Sequence, residues 1–535
     1  MALLDFFASP DPRAKQPAGT KPSIFHAFLT PGPPPSEFPP PPQFCATQFQ
    51  NDRVTWCLND LPLEAATKHF LACGCPGSGK TVTLRLFLQS IVPRIDPARA
   101  YPDQIILFDA KRDMLDILAG IGLPSGARLW NLNPFDAGSI PWDIAHDIRT
   151  PAAARYFAAL LVPADERENA PYFTNAARQL VFAVLLAFIE RRHTNWAFRD
   201  LLCALRTKER ILAITRSSPT AWERAASVFA DERHFGSVLS TVGTKVTRFD
   251  EVAALWHHAM QDHACQRFTV RNFMRHGGLL LLGNHPVFNE SLWPVNAMLL
   301  KVVTDQVLTE PETHLPRFWF ILDEFRWMGR VDCIRQLLNQ GRSKGVSVTL
   351  GIQDVDGLAA AYGLKEAEEI LSQCATKTFF RAGSNGTASW AQNHFNSVRR
   401  LERTRNHSES SGTNGSSTSD GYSESLQDRP LFLASVFSDM PLPEPGGWFS
   451  AIQDAPALAP RTRITRAPFA WVLSMLKKTP GAFRGLEPND QEASEREAHE
   501  QLIQPWSAEE EAAFCGTAQP PRSSTQLPTD DDLYS

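Results

Sequence analysis

Two apolar rhythms divide the chain. Short runs in which nearly every residue is apolar appear as "HFLACG" (69–74), "DQIILFDAK" (103–111) and "ARLWNLNPF" (127–135), with the helical repeat "GKTVTLRLFLQSIV" after the first. Runs of this kind predict strands buried on both faces, and their alternation with helices predicts a parallel sheet. From about 150 to 266 the rhythm changes. "AAARYFAALLV", "NAARQLVFAVLLAFIERR" and "AFRDLLCALR" carry apolar residues at helical spacing, and no strand-like run interrupts them. The strand rhythm resumes at "GGLLLLGN", "RFWFILDEF", "VSVTLGIQD", "TKTFFRAG" and "GGWFSAIQD". The pattern reads as an α/β fold with a mostly parallel central sheet. Its two parts, 51–149 and 267–475, are separated by an inserted all-α domain at 150–266.

The flanks have a different character. Residues 1–50 are rich in proline ("PGPPPSEFPPPPQF") and read as a flexible arm. The Ser-rich stretch 406–425 reads as a mobile loop, and 476–535 as an acidic, mostly disordered tail with one short helix at "PWSAEEEAAF". Charge sharpens this picture. The chain carries −5 overall, but the twelve acidic and three basic residues from Arg484 onward leave the body before them at +4. Nine scattered cysteines without a paired zinc spacing read as free, mostly buried thiols of a reducing compartment. The longest apolar helical run, "LVFAVLLAFI" (180–189), is about half the ~20 residues of a membrane span, so a core helix is expected there. The N-terminus lacks the basic start and apolar core of a secretory leader. A cytoplasmic protein is the expectation, peripheral at an inner membrane only through a partner.

The chemistry begins at "GCPGSGKT", Gly74–Thr81, which matches G-x-x-x-x-G-K-[ST] between a strand and a helix. Gly74, Cys75, Pro76, Gly77, Ser78 and Gly79 are expected to bind the nucleotide, the glycines letting backbone N–H groups turn toward its phosphates. Lys80 would neutralise the β- and γ-phosphates, and Thr81 would hold Mg²⁺. In "FWFILDEF" a strand ends in an acid pair. Asp323 is placed to join the Mg²⁺ shell, and Glu324 to polarise a water for attack on the γ-phosphate. Gln353, at the end of "VSVTLGIQD", is placed to sense the γ-phosphate or the water, a solvated strand-end amide being the alternative. Arg342, after a helix end, is either an arginine finger acting across a subunit interface or a cation offsetting the helix dipole. ATP and Mg²⁺ are thus the expected ligands. Arg85, one turn past Thr81, is expected to point away from the phosphates.

These parts resemble a known family. The loop and helix at Cys73–Val92, "FILDEF", "LLNQGRSKGVSVTLGIQD", "AAYGLKEAEEILSQCATKTFFRAG" and the "NLNPFD" turn look like the conjugative coupling proteins of type IV secretion systems, the TraD/TraG group. The resemblance spans about residues 65–455. It implies a RecA-like P-loop core related to the FtsK/HerA DNA pumps, with an inserted all-α domain. It also implies an ATPase that moves DNA, single-stranded with a bound relaxase, toward a secretion channel, and a homo-hexameric active form. Lys80 and Thr81 carry over as nucleotide and Mg²⁺ ligands, Asp323 and Glu324 as the second acidic motif, and Gln353 as the third-motif glutamine. Members usually carry a pair of N-terminal membrane helices, which this sequence does not display.

DNA contact is less legible. Arg342 and Lys344, the cluster Arg399, Arg400, Arg403 and Arg405, and Arg461, Arg463 and Arg466 are candidate backbone contacts. No base-reading motif is present, so no sequence reading is predicted. Two rival readings stay open: a double-strand pump of the FtsK/HerA kind, and an ATP-dependent docking platform that selects protein cargo.

Overall fold

A computed structural model describes residues 52–136, 138–164, 172–262, 265–412, 415–477 and 502–516, without the side chains of 400, 402–421 and 423. The Pro-rich arm and residues 478–501 and 517–535 of the tail lie outside the described residues.

In chain order the strands are β1 (Arg53–Trp56), β2 (Asn59–Pro62), β3 (Phe70–Cys73), β4 (Gln104–Asp109), β5 (Leu129–Asn131), β6 (Gly278–Gly283), β7 (Thr313–Leu322), β8 (Lys344–Ile352), β9 (Thr376–Phe379), β10 (Ser397–Gly412), β11 (Gly415–Pro430), β12 (Trp448–Asp454) and β13 (Thr462–Pro468). Nine of them form one sheet in the order β13-β12-β9-β3-β8-β7-β4-β6-β5. The seven strands from β9 to β5 run parallel, while β12 and β13 add an antiparallel edge. The sheet is covered on both faces, which is why its strands read as near-continuous apolar runs. Leu71, Ile106, Leu280, Phe320 and Val348 pack on one side, with most of the helices. Phe70, Ile105, Leu279, Trp319 and Ile321 pack on the other, with β1 and with α1 (Lys80–Ile91).

Between β5 and β6, from Ile144 to His276, the described backbone is helical between its turns. This segment leaves and returns at one place. An isolated bridge joins Trp142 to Phe268, the Asp143 N–H donates to the Phe268 carbonyl at 2.9 Å, and the Phe268 N–H donates to the Pro141 carbonyl at 2.9 Å. Among its helices are α2 (Tyr172–Arg192), α3 (Phe198–Ala204) and α4 (Lys208–Arg216). The apolar run at 180–189 is the middle of the 21-residue α2, twice the length the run alone suggests. By length and composition α2 would suffice to cross a membrane, but Leu180, Val181, Val184, Leu185 and Phe188 are buried within the helical segment, as a core helix requires.

Two features depart from the sequence expectations. Residues 406–412 and 415–425 of the Ser-rich stretch, expected as a loop, lie in a long antiparallel hairpin of β10 and β11, paired from Ser397↔Pro430 to Gly412↔Gly415. Its ladder needs only backbone groups, so small polar residues sustain it without any apolar signal. The short tail helix, α5 (Ala508–Cys515), forms where the sequence places it, but instead of lying in a disordered tail it packs against the helical segment, where Arg199 and Arg210 pair with Glu510 and Glu511.

Candidate nucleotide site

The connection from β3 to α1 is held by neighbours on both sides. The Gly74 N–H donates to the Ile352 carbonyl (3.2 Å), and the Cys75 N–H to the Arg381 carbonyl (2.8 Å). That pins the loop to the ends of β8 and β9. Two glycines cannot carry a side chain here. A Cβ on Gly74 would stand 2.6 Å from the Phe380 Cβ, and one on Gly79 2.8 Å from the Phe449 ring, with Gly79 already at φ +111°. Gly79 is the N-cap of α1 and offers no side-chain cap, so the first N–H groups of a 12-residue helix are left for an anion.

Lys80 is almost wholly buried. Its ammonium donates to the carbonyls of Gly74 (2.5 Å) and Cys75 (3.2 Å) and lies 3.8 Å from Glu324 Oε1. Burial lowers its pKa, and the charges of Glu324 and Asp323 act against that. β7 ends at Leu322, and both carboxylates after it are 1 % exposed. Asp323 Oδ1 accepts the Glu324 N–H at 3.0 Å, and Glu324 sits at φ +51°, a left-handed conformation uncommon outside glycine. Among the described residues, Asp323 Oδ2 and Glu324 Oε2 accept no hydrogen bond. Burial raises the Asp323 pKa, opposed by Lys111 and reinforced by Glu324.

Lys111 is the residue that sequence reasoning missed. Its ammonium lies 3.2 Å from Glu324 Oε1 and 3.7 Å from Asp323 Oδ2, and it donates to Thr81 Oγ1 at 3.3 Å. Burial disfavours its charge, but the two carboxylates outweigh this and hold its pKa above the ordinary lysine range. The signal lay in "DQIILFDAK": a lysine just past a strand end becomes meaningful once β4 is known to lie beside β7. Asp109, on the same strand end, is structural. It accepts the N–H groups of Asp113 (3.2 Å) and Met114 (3.1 Å) at a helix start, and burial, then Asp113, pushes its pKa up to about 6.

The other candidates separate by position. Gln353 follows β8, the strand between β3 and β7, so it stands between the loop and the acid pair and is half-buried. Arg342 precedes β8, is exposed, and so lies at the opposite edge of the sheet from Gln353. Arg85 donates to the Lys477 carbonyl at 3.0 Å. Several candidate DNA contacts have partners within the chain: Arg461 with Asp454, Arg463 with Asn59 (3.1 Å), Arg399 with Asp428 (3.3 Å) and Lys344 with Glu312 (3.9 Å). The side chains of Arg400, Arg403 and Arg405 lie outside the described residues.

A phosphate loop at the carboxyl edge of a mostly parallel sheet, two strands from a buried acid pair, defines the P-loop NTPase class. Residues 57–462 match the family described as "Type IV secretion-system coupling protein DNA-binding domain", and the chain belongs to that family. It is 24% identical over 361 residues to coupling protein TraD of Escherichia coli (strain K12), covering 66% of this chain and 47% of that protein. The chain thus spans about half the length of this curated relative. Among solved structures it is similar to the bacterial conjugative coupling protein TrwBdeltaN70 in an unbound form (TM-score 0.60, 18% identity, 82% of this chain and 92% of that one). It is similar also to the plasmid coupling protein TrwB in complex with ADP and Mg²⁺ (TM-score 0.59, 18% identity, 83% and 92%).

Proposed function

We propose that the chain is an ATP-hydrolysing motor that moves DNA in conjugative transfer, as a coupling protein delivering single-stranded DNA with its bound relaxase to a type IV secretion channel. The observation that carries this reading is the meeting of Lys80 and Glu324 at 3.8 Å, from two motifs more than two hundred residues apart. Membership of the coupling protein family supports the substrate.

In this reading the N–H groups of Gly77, Gly79, Lys80 and Thr81 and the Lys80 ammonium hold the phosphates of ATP. Lys80 exchanges the carbonyls of Gly74 and Cys75 for phosphate oxygens. Asp323 Oδ2, buried and accepting no hydrogen bond, and the Thr81 hydroxyl are hard oxygen donors of the kind Mg²⁺ takes, and Lys111 bridges them as a cation. The residues therefore fit the ion, which when bound neutralises phosphate charge. Glu324 orients a water and accepts its proton as the water oxygen attacks the γ-phosphorus and the bond to the β-γ bridging oxygen breaks. Gln353 reports the γ-phosphate to β8.

The motor reading further takes the active form as a homo-hexamer around DNA, gripping backbone phosphates without reading bases. It takes the helical segment 150–266 as a domain of its own between the two parts of the motor. The test is ATP turnover by the full chain with and without single- or double-stranded DNA. Stimulation by single strands is expected. Stimulation by duplex alone would favour a double-strand pump, and no stimulation with retained protein partners would favour a docking platform.

A further inference from the structure

The described part of the tail occupies a groove on the helical segment. Arg199 of α3, with its side chain 3 % exposed, gives all but one of its hydrogen bonds to this part of the tail, the other going to Asp200 at 3.5 Å. Its Nε donates to the Gln504 carbonyl (2.9 Å), its Nη2 to the Pro505 carbonyl (2.8 Å), and its two terminal nitrogens to the Glu510 carboxylate (2.6 and 3.1 Å). The Trp506 indole N–H donates to Asp200 at 2.8 Å, and its ring stacks on Phe514 at 4.6 Å and 4°. Arg210 of α4 donates to Glu511 at 2.9 Å and covers Trp506, while Arg192 of α2 covers Phe514. Ser507 and Glu510 form a capping box, which shapes the helix before it meets the groove.

These are the features of a receptor and its ligand. The arginines come from three helices, and the groups that meet them come from one short segment. Were that segment to leave, Arg199 would keep Asp200 at 3.5 Å but lose the Glu510 carboxylate and the carbonyls of Gln504 and Pro505, so the groove calls for an occupant that restores an acidic side chain and backbone acceptors. The occupant is also replaceable: the side chains of Glu510 and Glu511 are 39 % and 45 % exposed, so water reaches both ion pairs. Nor does it fill the groove, which continues past Phe514 into a cavity of about 310 Å³ lined by Asp143, Arg192, Trp196 and His257.

We propose that this groove is a docking site for an acidic amphipathic helix of a partner protein, and that the chain's own segment 504–515 is the resident that the partner displaces. The segment would carry an aromatic residue just before the helix N-cap, a second one eight residues on within the helix, and a glutamate pair between them, as Trp506 and Phe514 do here. A protein helix fits better than a nucleic acid, because Asp200 accepts an indole N–H and the aromatic slots want side chains that bury. The proposal does not depend on the nucleotide reading.

The probe is a fluorescein-labelled peptide of residues 502–516, titrated into three full-length chains. The first, Trp506→Ala with Glu510→Lys, has its groove emptied and binds the peptide one to one. The wild type binds it at least tenfold more weakly, since its own segment competes at high effective concentration. Adding Arg210→Glu to the emptied chain weakens binding at least tenfold. ATP turnover without DNA is the same in all three. The proposal is overturned if an emptied chain that still melts cooperatively does not bind the peptide. It is overturned equally if wild type and emptied chain bind it alike, or if a single-stranded oligonucleotide takes the groove and the peptide does not.

Discussion

At the scale of single residues, the glycines of the loop differ in what they tolerate. Gly77 is at φ +73°, and a Cβ there would meet nothing within 4 Å, so Gly77→Ala costs only the backbone strain, about 1–2 kcal/mol. Gly79 at φ +111° would drive its Cβ into Phe449, so Gly79→Ala combines strain with a clash at the start of α1. Fluorescent ATP-analogue titrations should find affinity largely kept in the first and lost by more than tenfold in the second. Equal losses would mean that the contact with Phe449 is irrelevant. Glu324→Gln keeps the shape but removes the proton acceptor, so it should bind ATP and lose roughly 10² or more in turnover. Turnover at the wild-type rate would remove Glu324 from its role. Lys111 gives a third test. Asp323 already has a raised pKa, and its contribution to stability is therefore full at low pH and declines as pH rises through that raised value. Lys111→Met removes a cation that opposes the rise, so the variant, free of nucleotide, should lose more stability than wild type in thermal melts as pH rises above the ordinary carboxylate range. Parallel melting curves would show that Lys111 does not hold the acid pair.

At the scale of elements, legibility follows burial. β3, β4, β5, β6, β7, β8, β9 and β12 are readable because strands covered on both faces appear as short runs rich in apolar and β-branched residues. The acid pair and the phosphate loop are readable because each sits directly at the end of such a run. β1, β2 and β13 are not, being short or interrupted by charge, as in "TRITRAP". The hairpin of β10 and β11 is illegible for a deeper reason: its strands pair only with each other, and two-stranded ribbons carry no core side to mark them. Its described side chains beyond Leu401, such as Tyr422, Glu424 and Leu426, are exposed. Joining Arg399 to Asp428 through a short turn should therefore leave the melting temperature unchanged, whereas a fall of several degrees would show that the ribbon braces the core. The α5 clasp has its own pH signature. Arg199 holds the Glu510 carboxyl down to about 2, so the clasp's contribution is complete above the ordinary glutamate range and disappears as pH falls through about 2. Trp506 fluorescence should report release only on strong acidification, and release near neutral pH would contradict the pairing.

At the scale of the whole molecule, the site lacks one thing that the sheet itself explains. The loop, Glu324 and Gln353 share the carboxyl edge, but Arg342 stands before β8, and nine residues of strand at about 3.3 Å each separate it from that edge by about 30 Å. Within one chain Arg342 cannot reach the γ-phosphate. If it serves as the arginine finger, it must do so from a neighbour whose amino edge meets this carboxyl edge. Such a contact joins two different surfaces and closes into a ring when repeated. The competing group is Arg381, whose carbonyl already holds the Cys75 N–H and which needs no neighbour. The two arrangements differ in their dependence on assembly. With Arg342 in trans, turnover per chain rises with protein concentration, and Arg342→Ala keeps ATP affinity while losing about 10³ in rate. Mixing Arg342→Ala with Glu324→Gln chains then recovers part of the activity, because some interfaces pair an intact Glu324 with an intact Arg342. If Arg381 is the finger, Arg381→Ala shows the loss instead, Arg342→Ala is close to wild type, and mixing restores nothing. A concentration-independent rate with both arginine variants active would exclude either residue as the finger.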